Sequence, residues 1–168
     1  MWRGGLSAPA SFYLHADRPL ISENATSALL HEVMHTALSI RPAPQFDWIA
    51  EGLAEYYSIE LLRRGRAITG TRAATAMSEQ AEWGKRATTL CSDASEAATT
   101  ALAVTLFAAL DRELRDLSDG SANLDDLLPL LAGSTVDLDL LAASATELAG
   151  ALPDTLHIDN LPGCRNMP

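Results

Sequence analysis

The chain has 168 residues, of which 48% are hydrophobic and 20% are charged, and its net charge at pH 7 is −10. This length suits one folded domain with a sizeable core, so residues 1–168 are predicted to form a single domain. The acidic balance argues against nucleic acid or an anionic membrane surface as a partner, because either would require a basic patch. The longest uncharged run, residues 97–110, is too short to cross a bilayer, so no transmembrane segment is expected.

Residues 1–20 are predicted to be irregular or β structure. Segment 11–15 is short and aromatic and lies between two prolines, which is typical of an edge strand.

Residues 21–65 predict two helices joined by a proline-rich turn. Ser22 or Asn24 can cap the first helix, which is expected to be largely buried and to end near Ser39. The prolines end it, because each disfavours helix in the residue before it. Asp47 is expected to cap the second helix, whose arginine-rich end suits the helix dipole.

Residues 71–168 are predicted to form a helical scaffold. The hydrophobic pattern indicates helices over residues 71–89, from about 95 to 117, 123–132 and 137–148. Trp83 is expected to anchor the first of these in the core, and a stripe of leucines makes the second central. Together with the N-terminal segments, the scaffold predicts a mainly α-helical (α+β) fold with a short N-terminal β segment.

The two cysteines, Cys91 and Cys164, do not form a metal-type cluster. One disulfide and two free thiols are both compatible with the sequence. The first residues are not a secretory leader, because no apolar stretch follows them. The chain is therefore expected to be soluble, and either cytoplasmic or, if a leader was removed, periplasmic or secreted.

The first helix of the pair carries two histidines at metal-ligand spacing. His31 and His35 are four residues apart, so on a helix they share a face with β-carbons about 5–6 Å apart, and both imidazoles can reach one metal ion. Glu32 can act on a water molecule at an open metal position. A catalytic zinc ion requires a third protein ligand, and Glu51 on the second helix is the natural one.

A second acid supports the metal-site hypothesis. Glu55 lies one helical turn beyond Glu51 and shares its face, so it can accept the outer N–H of a ligating histidine and fix the tautomer of the ring. Two acids on an otherwise apolar helix would be costly to bury without a cation. The alternative is that the histidines pack or form hydrogen bonds inside a buried helix, without a metal.

The pattern His31-Glu32-x-x-His35, followed by Trp48-x-x-Glu51-Gly52-x-x-x-Tyr56-Tyr57, resembles the gluzincin zinc metallopeptidases. Within that group it is most similar to the glycyl aminopeptidase family. The resemblance implies a thermolysin-like helical catalytic domain, with Zn²⁺ on His31, His35 and Glu51 and with Glu32 as the general base. It also implies a strand that lines the cleft and pairs with the substrate backbone, for which segment 11–15 is the candidate, although packing against the core explains that segment equally well. It predicts a zinc-dependent metallopeptidase that acts on a peptide or protein substrate.

The resemblance also implies a group that stabilises the oxyanion formed during hydrolysis. Tyr56 and Tyr57 follow Glu51 on the same helix, and we expect that one of them can face the metal. His15 and His157 are the other donors that the sequence offers. The tyrosine that related aminopeptidases carry on a later helix has no counterpart near residues 97–101.

Two alternatives therefore stay open beside the peptidase. The first is a degenerate gluzincin domain, metal-binding or metal-free, that serves as a scaffold or interaction module; the missing tyrosine and a missing acidic amine-binding motif near residues 4–7 favour it. The second is a fragment of a larger peptidase, because a large β-rich domain precedes the catalytic domain in such families. The sequence sets no oligomeric state.

Overall fold

The computed structural model describes residues 5–8, 11–15, 17 and 19–165. In chain order these residues form β1 (Gly5–Ala8), β2 (Ser11–Leu14), α1 (Ala28–Leu38), β3 (Arg41–Pro42), α2 (Asp47–Arg64), α3 (Gly70–Gly84), α4 (Ala97–Leu117), α5 (Leu124–Leu131), β4 (Thr135–Val136) and α6 (Leu138–Ala149). Two 3-10 turns follow, Asp154–Leu156 and Ile158–Asn160. The fold is mainly α-helical, as predicted. Within the described ranges, no helix has both the length and the apolar character that crossing a bilayer requires.

The N-terminal β segment is a hairpin. β1 pairs with β2 in antiparallel register, from Gly5 opposite Leu14 to Ala8 opposite Ser11, and both strands contact α1. The sequence indicates only the second of these strands, because the first one lacks the aromatic and β-branched residues that mark a strand.

α1 begins at Ala28 because Ser27 caps it, with the Ser27 hydroxyl accepting a hydrogen bond from the backbone N–H of Leu30 at 3.3 Å. The predicted caps, Ser22 and Asn24, were wrong, since both lie in the loop before the helix. The Ser22 hydroxyl instead accepts a hydrogen bond from the backbone N–H four residues later, at 3.1 Å, which closes this loop.

The start of α2 is held from outside the helix. Asp47 does not cap α2 as predicted; its carboxylate accepts a hydrogen bond from the backbone N–H of Ser95 at 2.7 Å. The backbone N–H of Gln45 donates to Asp93 in the same segment, at 3.1 Å. β3, which lies in the connection between α1 and α2, pairs in parallel with β4. These contacts fix where α2 begins relative to α4 and α6.

α2 packs against α4 at very short range. A Cβ atom added to Gly52 would lie 2.5 Å from the Cβ of Ala103 and 2.9 Å from the ring of Phe107. Leu110 and Leu114, from the predicted leucine stripe, are fully buried in the same core. Glycine at position 52 therefore allows the two helices to approach.

α3 packs through small residues, and its predicted anchor was wrong. Ala73, Ala76 and Gly84 are buried, and a Cβ atom at Gly84 would lie 2.9 Å from the backbone of Leu102. Trp83 is 45% exposed. A contact this close has no room for an indole, so the tryptophan lies outside it. The helix also ends at Gly84 rather than near residue 89.

The last two α-helices begin within one residue of their predicted starts, and each is capped by the residue before it. Asn123 forms a capping box with Asp126 at the start of α5, and the carboxylate of Asp137 accepts the backbone N–H of Leu140 at the start of α6. α6 ends at Gly150, which adopts a left-handed conformation with φ 76°.

Cys91 and Cys164 form a disulfide, with their Cα atoms 5.1 Å apart. This decides between the two alternatives that the sequence leaves open. The bond ties the segment after α3 to the C-terminal tail. The backbone N–H of Leu90 also donates to the carbonyl of Pro162 at 2.8 Å, so the tail is held at two neighbouring points.

Candidate metal centre

Three of the predicted site residues converge where α1 packs against α2. Ligand atoms of His31, His35 and Glu51 all lie within 4.8 Å of one another. The Nε2 atoms of the two histidines are 3.0 Å apart. The Glu51 carboxylate oxygens lie 3.4 Å from Nε2 of His31 and 3.2 Å from Nε2 of His35. The helical spacing therefore turns both imidazoles toward a carboxylate on the next helix.

The spacing of these atoms fits a metal ion. A tetrahedral ion with bonds of about 2.0–2.1 Å separates its ligand atoms by about 3.4 Å. The observed distances between neighbouring donor atoms are 3.0 to 3.4 Å, so small rotamer changes suffice to reach that geometry. The His31, His35 and Glu51 side chains are 17%, 18% and 32% exposed, which leaves one side of the group open. Three protein donors with one open side are the arrangement of a catalytic metal site.

Glu55 forms a hydrogen bond with the His31 ring nitrogen that faces away from the cluster. Nδ1 of His31 lies 3.0 Å from a carboxylate oxygen of Glu55, which requires the ring to donate its Nδ1–H. A neutral ring then keeps its lone pair on Nε2, the atom that faces His35 and Glu51. The predicted position of Glu55 is thus the observed one, whereas its effect on a metal stays a prediction.

A further residue, absent from the sequence prediction, extends this chain of contacts. The side-chain amide of Gln80 on α3 donates to the other oxygen of Glu55 at 3.4 Å. Gln80, Glu55 and His31 therefore form one connected chain from α3 to the cluster. No local pattern in the sequence identifies Gln80, because its contact depends on how α3 packs against α2.

The cluster concentrates negative charge, and His31 supplies the compensating positive charge. Burial disfavours the imidazolium, but hydrogen bonds to Glu51 and Glu55 outweigh it and raise the pKa of His31 to about 10. Burial likewise opposes ionisation of Glu51, but its hydrogen bonds to His31 and His35 hold its pKa well below the ordinary range. A divalent cation can replace the proton on His31 as the positive partner, so metal binding would release protons.

Glu32 lies beside the cluster. The residue is only 7% exposed, yet it lines the same cleft as the two histidines. Within the described part of the chain, no group donates a hydrogen bond to its carboxylate. At about 100° of rotation per residue, Glu32 is about 100° from His31 and about 60° from His35 around α1, so it flanks the ligand face.

The cluster lies on the floor of a cleft with a volume of about 1690 Å³. α1 and α2 form the floor, and the walls come from the loop before α1, from the exposed face of α3 and from the start of α4. This cleft is large enough for several residues of an extended peptide.

Comparisons with known proteins do not assign this chain to a family. No protein-family model matches it, and neither curated proteins nor solved structures gave a significant match.

The structure does not support the predicted oxyanion donors. The Tyr57 hydroxyl donates to Asp125 on α5 at 2.7 Å, and Tyr56 is buried near Asp111, where burial raises its pKa. Neither tyrosine lines the cleft. On a helix they lie about 140° and 120° around the axis from Glu51, so they face away from the cluster.

The two other predicted donors also lie elsewhere. His15 and His157 are exposed and do not line the cleft. The described residues of β2 that have described side chains, Ser11, Tyr13 and Leu14, do not line it either. The expectation that this strand borders the cleft therefore finds no support, and packing against α1 accounts for the hairpin.

Proposed function

We propose that this chain is a zinc-dependent metallopeptidase in which Glu32 acts as the general base. The observation that carries the proposal is the convergence of His31, His35 and Glu51 in a cleft that Glu32 also lines. The resemblance of the same residues to the gluzincin pattern supports it, and we propose that the helical fold is a gluzincin-like catalytic domain.

Zinc is the metal that best suits these donors. Two imidazole nitrogens and one carboxylate oxygen, with a fourth position open to solvent, form a donor set typical of catalytic zinc. When bound, zinc polarises the peptide carbonyl and lowers the pKa of water to about 7. Glu55 contributes by accepting the Nδ1–H of His31, with 3.0 Å between Nδ1 and the carboxylate oxygen, which would leave Nε2 of the ring available to the ion.

Glu32 supplies the proton transfers of the proposed reaction. Its carboxylate accepts a proton from the attacking water, whose oxygen forms a bond to the carbonyl carbon. The C–N bond of the peptide then breaks, and Glu32 gives the proton to the leaving amine nitrogen. This role suits a buried carboxylate that receives no hydrogen bond from the described residues and borders the cleft.

A second candidate function is a zinc-binding scaffold without hydrolytic activity. The positions of Tyr56 and Tyr57 favour it, because the Tyr57 hydroxyl donates to Asp125 and the described residues that line the cleft include no tyrosine. A scaffold needs the three ligands but has no use for a free carboxylate at position 32.

The two functions differ in a direct experiment. Purified protein is analysed for metal content and incubated with a mixed peptide library. The peptidase predicts bound zinc and cleavage, whereas the scaffold predicts zinc without cleavage. Protein that binds no zinc after exposure to it would contradict both.

Matched variants separate the base from the ligands. Glu32→Gln should keep its zinc and lose hydrolysis by about 10²- to 10⁴-fold, because only the proton acceptor is removed. His35→Ala should lose the metal as well. His157→Ala, a histidine that is exposed and outside the cleft, should keep both properties. Equal metal loss in Glu32→Gln and His35→Ala would show that Glu32 is a ligand or a structural residue.

A further inference from the structure

The two ends of the cleft can be placed from the direction of its helices. Gln80 contacts Glu55, while Ala76, earlier in α3, packs in one cluster with Ile59, later in α2. α3 therefore runs antiparallel to α2, and Trp83, about one turn beyond Gln80, lies near the level of Glu51. The C-terminal end of α3 borders one end of the cleft, and its N-terminal end borders the other.

These two ends differ in chemistry. Toward the start of α3 the lining consists mostly of small uncharged side chains, together with the acid Glu79: Pro19, Ser22, Asn24, Thr26, Ala28, Thr75, Ala76 and Ser78. The other end combines apolar side chains (Ile40, Pro42, Ala50, Trp83 and Ala97) with polar and charged ones (Asp47, Glu82, Lys85, Arg86 and Thr100). The largest apolar side chain that lines the cleft, Trp83, is therefore at this second end.

Trp83 is the largest apolar group at that end, and it is 45% exposed. The guanidinium carbon of Arg86 lies 4.3 Å from the centre of its ring, so one part of the indole surface is covered by a cation. The indole also lines the cleft. Covering it with an apolar side chain of a ligand would remove apolar surface from water.

Arg86 differs from its neighbour Lys85 in being free to bind an anion. The Lys85 ammonium forms an ion pair with Glu82 at 2.5 Å. Among the residues that the structure describes, no carboxylate lies within ion-pair distance of the Arg86 guanidinium, which also lines the cleft. Stacking on Trp83 limits its motion, and its planar N–H groups match the two oxygens of a carboxylate.

Trp83 and Arg86 are close enough to contact one residue of a peptide. Arg86 lies beyond the end of α3 at Gly84, and its guanidinium carbon is 4.3 Å from the centre of the Trp83 ring. One extended residue covers about 3.3–3.6 Å, so a side chain against the indole and a main-chain carboxylate against the guanidinium can belong to the same terminal residue.

We propose that this end of the cleft, formed by Trp83 and Arg86, binds the C-terminal residue of a peptide, with its apolar side chain on the indole and its carboxylate on the guanidinium. The proposal rests on the proposed function, and it makes the last peptide bond the one over the cluster. Hydrolysis there consumes one water and releases the C-terminal amino acid: a C–O bond forms at the carbonyl carbon, the C–N bond breaks, and Glu32 carries the water proton to the amine.

The test measures binding, so it does not require turnover. Calorimetry with the Glu32→Gln protein, both metal-free and with added zinc chloride, compares acetyl-Gly-Gly-Phe with its C-terminal amide and with acetyl-Gly-Gly-Ala. A fourth ligand, acetyl-Gly-Phe-Glu amide, carries its carboxylate on a side chain instead of the terminus. Each is measured with Arg86→Gln, Trp83→Ala and Trp83→Leu added, and with Arg66→Gln as a control, since Arg66 is exposed and does not line the cleft.

The free acid should bind about fivefold more tightly than its amide, and Arg86→Gln, but not Arg66→Gln, should abolish this difference. The phenylalanine peptide should bind about tenfold more tightly than the alanine peptide, and Trp83→Ala should remove that preference while Trp83→Leu keeps part of it.

Equal binding of acid and amide would overturn the proposal, as would equal effects of Arg86→Gln and Arg66→Gln. If the side-chain acid binds as tightly as the free C-terminus, the site recognises internal acidic residues and the terminal assignment is wrong. The expected pattern in a protein that neither holds zinc nor cleaves peptides would refute the proposed function and leave the peptide site standing.

Discussion

Replacing Gly52 by alanine should disturb both the core and the proposed metal centre, because Gly52 follows Glu51 on α2. The added Cβ would lie 2.5 Å from the Cβ of Ala103 and 2.9 Å from the ring of Phe107, where ordinary contacts are 3.4–4 Å. The Phe107 ring can turn, but Ala103 is a backbone-anchored methyl group. α2 and α4 must therefore move apart by about 1 Å to restore normal contact distances.

The expected magnitudes follow from this displacement. Overpacking of a core costs about 1–3 kcal/mol, and the higher helix propensity of alanine returns about 0.5–1 kcal/mol. The free energy of unfolding should fall by about 1–2 kcal/mol. A shift of the helix that carries Glu51 exceeds the about 0.5 Å tolerance of a metal site, so zinc affinity should fall at least about tenfold.

Two measurements check this prediction. Urea unfolding of the metal-free protein gives the change in stability, and chelator competition gives the change in zinc affinity. Gly70→Ala is the matched control, because a Cβ there meets nothing within 4 Å. It should leave zinc affinity unchanged and unfolding free energy equal or slightly higher. A Gly52→Ala protein as stable as the wild type would refute the packing argument, and lower stability with unchanged zinc affinity would refute the link to Glu51.

Three further perturbations have defined outcomes. Glu55→Ala should weaken zinc binding about 10- to 100-fold in chelator competition, and Glu55→Gln should weaken it less, because an amide oxygen still accepts the imidazole N–H. Replacing Cys91 and Cys164 by alanine should lower the free energy of unfolding by about 2–4 kcal/mol, since the bond links positions 73 residues apart. Zinc affinity should not change. Asp125→Asn should lower the free energy of unfolding at pH 7 by about 0.5–1 kcal/mol, because the carboxylate is 44% exposed and its pair with Arg64 is partly screened.

The pH dependence of the last variant has a definite sign. The hydrogen bond from Arg64, followed by that from Tyr57, holds the pKa of Asp125 below its ordinary 3.8 against the opposing effect of burial. Its contribution is therefore present above pH 3.8 and is lost as the pH falls through the lower folded value. The difference between wild type and Asp125→Asn in urea unfolding should close in that range. A difference that persists below it would assign the effect to something other than the charge.

The predictions for Glu55 and for the two cysteines can also be contradicted. If neither Glu55 variant changes zinc affinity, the contact with His31 has no effect on the metal. Loss of zinc affinity in the cysteine double variant would mean that the disulfide supports the metal centre through the segment that holds the start of α2.

The sequence predicts a site residue well when its position follows from the periodicity of one helix, or from the packing of that helix against the next one in the chain. Helical periodicity alone places His31 and His35 on one face and Glu51 and Glu55 on another. A short connection makes the two helices antiparallel neighbours, which brings these faces together. The same periodicity would have excluded Tyr56 and its neighbour, because both lie about a third of a turn or more away from Glu51.

The residues that the sequence does not reveal depend on packing between distant elements. Gln80 reaches Glu55 only because α3 lies antiparallel to α2 and close to it. Trp83 is apolar and at a core-like position in the sequence, yet Gly84 beside it makes the contact with α4. A hydrophobic pattern predicts that the tryptophan packs against α4 rather than the glycine. Which of the two does so depends on the distance between α3 and α4, and the pattern does not contain that distance.

The division of the cleft into floor and walls bears on how this molecule can evolve. Its floor is built from α1 and α2, and even one methyl group added at Gly52 would clash with α4 behind the floor. The walls are the loop over residues 19–26 and the exposed face of α3, where most substitutions change stability by about 0.5 kcal/mol or less. Substitutions in the walls can therefore change which molecules enter the cleft without changing the positions of His31, His35 and Glu51 on its floor. Related chains should share their floor and diverge along their walls.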